Sequence, residues 1–183
     1  MANEYRTLIA PNSWLFGLYA SSYEEKGLAY TTEINGEETL VISFRETSNL
    51  NEALSDADFF NKSVTIGGLE LNVHRGFFNI FKAMEHQIRD LLEHFLAQGT
   101  VKRILLTGHR LGGAVALTTT PLVKQLSGGI PTDVITFEAP KPFDKDSAAR
   151  FKEILGSNSI IIEDKKNIVT KVGYGVLTGG DLG

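Results

Sequence analysis

No cysteine occurs in this chain, so it can hold neither a disulfide framework nor a thiolate metal site. There is no basic surplus either. Lysine and arginine number 18 against 22 aspartates and glutamates, for a formal net charge of −4, and no polybasic run breaks that balance. A nucleic-acid partner or an anionic membrane surface is therefore not expected. Apolar runs are short, and none approaches the roughly 20 residues that cross a bilayer, so no membrane span is expected. The first residues, Met1-Ala2-Asn3-Glu4, carry an acid early, and Pro11-Asn12-Ser13 interrupts the apolar stretch that follows. From that pattern no secretory signal peptide is expected. With the lack of cysteine, it makes a reducing, cytoplasmic setting the expectation. Histidines are few, four in all, and none pairs at H-x-x-x-H spacing or joins an acidic cluster. No metal and no cofactor are expected.

What is present suits one globular domain spanning residues 1–183, with 42% hydrophobic and 22% charged residues. Asn12 can cap a helix running to about Lys26, with Gly27 closing it. Leu28 to Ile34 and Thr39 to Arg45 read as strands joined by Asn35-Gly36, a turn pair that tolerates positive φ. Asn49 to Phe60 reads as a short helix. Val64-Thr65-Ile66 and Leu69 to Val73 flank Gly67-Gly68 as a second hairpin. From Gly76 to Ala97, Phe77, Phe81, Met84, Ile88, Leu91, Leu92 and Phe95 recur at helical spacing, and Gly99 ends the run. Strand Arg103 to Thr107, helix Leu111 to Leu126, strand Asp133 to Phe137, helix Lys145 to Leu155 and strand Ser159 to Glu163 follow. This alternation predicts an α/β fold with a central, mostly parallel sheet and helices on both faces.

One stretch carries chemical information. Leu105-Leu106-Thr107-Gly108-His109-Arg110-Leu111-Gly112-Gly113 places a buried strand, a tight turn and a long helix in immediate succession. Glycines stand two before and two after Arg110. The spacing is that of the nucleophile elbow, G-x-S-x-G, in which the small residues let strand and helix approach closely. Arg110 occupies the serine position.

Other segments extend the likeness. Val41-Ile42-Ser43-Phe44-Arg45-Glu46-Thr47 resembles V-V-A-F-R-G-T. Asn51 to Phe59 loosely resembles a D-W-x-x-D segment. Val73-His74-Arg75-Gly76-Phe77 resembles V-H-x-G-F, and Val134-Ile135-Thr136-Phe137-Glu138-Ala139-Pro140 resembles V-x-T-F-G-A-P. Asn167-Ile168-Val169-Thr170-Lys171-Val172 resembles D-x-V-P-x-L. In this order the chain, from about residue 10 to 172, resembles the class 3 (fungal-type triacylglycerol) lipases, which implies an α/β-hydrolase-like fold.

The resemblance also implies where the chain departs from that family. Arg110 stands for the serine nucleophile and Asn167 for the triad aspartate, with Asp164 an alternative under a shifted register. Hydrolases of this fold place the triad histidine after both, and no histidine follows His109 in this sequence. Two family glycines become Glu46 and Glu138. A guanidinium stays protonated and cannot attack a carbonyl. The backbone donors of the oxyanion hole fall on Thr47 and Leu111, where Glu46 would oppose a developing oxyanion.

Two readings follow. One is a lipase-like pseudoenzyme, a binding or interaction module for an unknown small molecule or protein, with Glu46, Thr47, His109, Arg110, Leu111 and Glu138 as ligand-binding candidates. The other is an enzyme with replaced chemistry, using Glu46, Glu138, Arg110 and His109, or else a modified lipase. His109 is more ordinarily a packed residue than a base, His74 reads as structural, and His86 and His94 as surface groups on the long helix. Ser43 and Ser48 read as ordinary strand and loop serines. In either reading Arg110 is expected within about 4 Å of Glu46 or Glu138, the usual ion-pair distance.

Overall fold

The computed structural model describes residues 5–11, 23–45, 61–155 and 159–162. Among these, strands β1 (Tyr5–Pro11), β2 (Tyr23–Ile34) and β3 (Glu37–Phe44) open the chain. Hairpin strands β4 (Asn61–Ile66) and β5 (Leu69–His74) lead into helix α1 (Arg75–Ala97). Strand β6 (Arg103–His109), helix α2 (Leu111–Leu126), strand β7 (Thr132–Phe137), helix α3 (Lys145–Leu155) and strand β8 (Ser159–Ile162) follow. The main sheet has the order β1-β2-β3-β6-β7-β8, and β4-β5 form a separate pair. β3, β6, β7 and β8 run parallel, and only β2 opposes its neighbours on either side.

The expected strands and helices are present over residues 28–44 and 61–162, with bounds shifted by three residues or fewer except at the start of β2, which lies five residues earlier than expected. The start of the chain differs from expectation. Residues 23–26, read as the end of a helix, belong to β2, and β1 was not anticipated. Pairing between the two strands overrides local helical preference there. Gly27 is not a helix cap but a mid-strand residue, and a Cβ on it would sit 2.8 Å from the Ser43 carbonyl oxygen. The expected helices at 12–22 and 49–60 lie outside the described residues.

The core forms where periodic apolar faces meet. In α1, Phe77, Ile80, Phe81, Met84, Ile88, Leu91, Leu92 and Phe95 are all buried. Each contributes roughly 2 kcal/mol of transfer free energy. The helix starts where the Gly76 N–H donates to His74 Nδ1 at 3.2 Å, and the same imidazole packs on Phe77 with centroids 4.7 Å apart. His74 is thereby a capping residue. Helix α2 is buried on every side from Leu111 to Val123, as a helix enclosed by other elements must be. It packs on α1, β6 and β7. Its polar residues are satisfied locally: Thr118 and Thr120 donate to the Ala114 and Ala116 carbonyls at 2.8 and 2.7 Å. On β6 and β7, Ile104, Leu106, Val134 and Thr136 are buried, while the alternate residues Leu105, Thr107, Asp133 and Ile135 are half-buried.

Candidate functional site: the turn between β6 and α2

Strand β6 ends at His109, and α2 begins at Leu111. Arg110 alone makes the turn, with φ 47° and ψ −118°. A non-glycine residue rarely takes such a conformation unless its surroundings impose it. The surrounding glycines do so. A Cβ on Gly108 would lie 2.4 Å from Gly112 C and O, and one on Gly112 would lie 2.3 Å from the Phe44 carbonyl oxygen. A Cβ on Gly113 would lie 2.7 Å from that of Ala139. Any side chain at these positions would push β6, α2, β3 and the end of β7 apart. The Arg110 N–H donates to the Phe137 carbonyl at 2.8 Å, and the Arg110 carbonyl accepts from Ala114 N–H at 3.1 Å. The apex is thus tied to β7 on one side and to the first turn of α2 on the other.

The neighbouring strand ends in a matching way. Glu138, directly after β7, has φ 50°, and its N–H donates to Ile162 in β8 at 2.7 Å. Its carboxylate points back to the apex. Oε2 lies 3.5 Å from Arg110 Nε and 3.6 Å from His109 Nε2, so one oxygen faces both bases. The side chains of Arg110, His109 and Glu138 are 42%, 48% and 29% exposed. At that exposure water screens much of the attraction, so the ion pair contributes about 1 kcal/mol or less.

The expected contact of Arg110 with Glu138 is therefore present. Glu46, Thr47 and Asn167, and with them the expected Arg110–Glu46 contact, lie outside the described residues. Leu111 is buried, with its backbone at the start of α2. Among the described residues no three His, Asp or Glu side chains group as a metal site. The other histidines are engaged elsewhere: His86 with Asp90 at 2.9 Å, and His94 with Arg6 at 3.4 Å. Ser43 lies inside β3, its carbonyl against Gly27.

Sequence reasoning missed the left-handed backbone of Glu138. The signal available was that the similar family motif carries glycine there. It also missed a polar lock between β5 and the start of α3. Asp144 accepts from the Ser147 N–H at 2.8 Å and from Asn72 Nδ2 at 2.7 Å, while the Asn72 N–H donates to Ser147 Oγ at 2.7 Å. Burial alone would raise the Asp144 carboxyl, but the Ser147 and Asn72 hydrogen bonds outweigh it and hold it below its ordinary value.

With this geometry in place, comparison with known proteins becomes informative. The family model described as Lipase (class 3) matches residues 41–176, well over half of the chain. The chain belongs to the class 3 lipase family. Among individual members, it is 25% identical over 113 residues to the secreted mono- and diacylglycerol lipase 1 of Fusarium solani, covering 62% of this chain and 33% of that protein. It is 24% identical over 168 residues to LIH1 of Saccharomyces cerevisiae, covering 82% of this chain and 51% of that protein. Lipase II from Rhizopus niveus superposes with a TM-score of 0.64 at 24% identity, over 80% of this chain and 56% of that one. These likenesses give the class 3 lipase chain an α/β-hydrolase fold. It spans between a third and about half of the length of the curated relatives it matches. Arg110 stands at the apex of the turn between β6 and α2. No helix among the described residues is long and apolar enough to cross a membrane.

Proposed function

We propose that this class 3 lipase homologue is a pseudoenzyme: it keeps the elbow as a scaffold, lacks serine-hydrolase chemistry and serves as a binding or interaction module. The observation that carries the reading is the apex residue. A guanidinium held at φ 47° and facing the Glu138 carboxylate at 3.5 Å has no lone pair with which to attack an acyl carbon. The surrounding candidates, Glu46, Thr47, His109, Leu111 and Glu138, are read as ligand-facing groups, for a small molecule or a protein partner. The proposal extends to a cytoplasmic setting, supported by the lack of cysteine; the Fusarium relative, by contrast, is named as secreted.

The test is ester hydrolysis. Purified protein should show no saturable turnover of short- or long-chain p-nitrophenyl esters, and Arg110→Ser alone should not create it, since a serine without an activating base is a weak nucleophile. Saturable turnover that Arg110→Ala abolishes would overturn the reading. The 3.6 Å approach of His109 Nε2 to Glu138 favours a second reading, replaced chemistry in which this pair divides acid and base roles. Turnover of any compound in a broad metabolite panel, lost in His109→Gln, would establish the second reading over the first.

A further inference from the structure

Among the described residues β1 pairs with β2 alone, so its other side faces no strand. In an antiparallel ladder alternate residues turn both backbone groups toward the partner strand, and those between turn them away. Ile9 is of the second kind. Its N–H donates to Gln87 Oε1 at 3.0 Å, and its carbonyl accepts from Gln87 Nε2 at 2.7 Å. The carboxamide of Gln87 thus supplies the donor and the acceptor that a neighbouring strand would bring. Leu8 pairs with Gly27 and Ile9 with Glu25, so the extra residue of the register shift, Lys26, lies on β2 and the alternation along β1 is unbroken. Tyr5, Thr7 and Pro11 therefore share the outward turn of Ile9. Pro11 has no N–H to offer a strand. Tyr5 and Thr7 are left as the outward positions that neither Gln87 nor a proline closes.

The closed edge is self-complementary. Two copies of β1 set antiparallel about Thr7 would place Tyr5 opposite the second copy's Ile9 at both ends and threonine opposite threonine at the centre. Aromatic–β-branched and Thr–Thr neighbours are favourable cross-strand pairs. Tyr5 and Ile9 share one face of the strand and are 67% and 42% exposed. An apolar edge of this kind pairs with another unless the fold blocks it. We infer that β1 is a docking edge for a second copy of this chain, and that Gln87 is the contact that holds it closed. With Gln87 on Ile9, an incoming strand finds only Tyr5 to Thr7, at the lower limit of strand length. With Gln87 withdrawn, the run extends from Tyr5 to Ile9, close to the commonest length.

Sedimentation velocity of the whole chain over a concentration series tests it. The variant is Gln87→Met, which keeps the length of the side chain and loses both polar atoms. Gln87→Met should dimerise at a concentration at least about tenfold below any at which the wild type associates. Adding Thr7→Pro should return it to monomer, because that change removes an outward N–H and leaves the bonds to β2 in place. Circular dichroism verifies the fold of each variant. A folded Gln87→Met that stays monomeric, a wild type that dimerises equally, or a dimer indifferent to Thr7→Pro would overturn the inference. So would open-ended aggregation, since a two-fold pairing of β1 closes on itself. If Gln87→Met does not fold, amide exchange in the wild type decides. The Ile9 N–H should exchange at least about tenfold more slowly than that of Thr7, and equal rates would overturn the inference.

Discussion

Two residues with left-handed backbone, Arg110 and Glu138, meet at the ends of adjacent strands and face one another. Their energetics separate cleanly. The carboxylate at 138 gains about 1 kcal/mol or less from a partly exposed ion pair. The backbone at φ 50° costs any non-glycine residue on the order of 1 kcal/mol. Replacing Glu138 with Ala removes the pair and keeps the strain, and replacing it with Gly removes both. Urea denaturation should therefore find Glu138→Gly more stable than Glu138→Ala by about 1 kcal/mol. Equal stabilities would mean that the left-handed conformation is not held in solution. Arg110→Ala should cost about 1 kcal/mol or less, and its double-mutant cycle with Glu138→Ala should give a coupling energy of similar size. The elbow glycines behave differently. Gly112→Ala places a methyl 2.3 Å from the Phe44 carbonyl oxygen, where backbone must move. It should destabilise by more than about 3 kcal/mol or abolish folding, read by thermal melting. These glycines were legible in the sequence because close backbone approach leaves a residue-type signature. The pairing of Arg110 with Glu138 was legible because opposite charges stood at strand ends that the resemblance brought together. The φ of Glu138 was not, since nothing in a glutamate announces a positive φ.

At the scale of elements, legibility followed periodicity. Helix α1 reads plainly because its eight buried side chains recur on one face through 23 residues. The first strands do not. β1 is an edge strand with a register shift between Leu8 and Ile9, and Gln87 of α1 donates to the Ile9 carbonyl at 2.7 Å and accepts from its N–H at 3.0 Å. Such a strand is defined by its partners, which a local pattern cannot show. The same holds for residues 23–26, where pairing with β1 rather than propensity decides. The junction of β5 and α3 carries a prediction of its own. Asp144 accepts from the third residue of α3 and from Asn72, so Asp144→Ala should cost about 1 kcal/mol, as loss of a helix cap does. Its carboxyl is held below the ordinary value of 3.8 in the folded protein. A depressed folded value means that the stabilisation is fully present above the unfolded value and is lost as pH falls through the folded one. The stability gap between wild type and Asp144→Asn should therefore hold at neutral pH and shrink on acidification below that value. A gap that widens in acid would contradict the assignment.

For the whole molecule, the α/β-hydrolase fold of the class 3 lipases carries Arg110 at the turn between β6 and α2. The parallel strands β3, β6, β7 and β8 deliver their carboxyl ends to one edge, where such sheets gather their functional groups. Arg110, His109 and Glu138 arrive there because of strand order, not sequence proximity. The fold was legible from motif order, since each motif is a strand end or a turn whose geometry constrains residue type. The row of His109, Phe137 and Ile162 was not, because it is assembled from segments distant in sequence. The central claim is that no activated hydroxyl stands at the elbow. Incubation with a fluorophosphonate probe, followed by intact-mass measurement, addresses it most directly, since such probes form a phosphonyl bond only with an activated nucleophile. The account predicts a protein of unchanged mass. A stoichiometric adduct, on any serine or threonine near the turn, would contradict it.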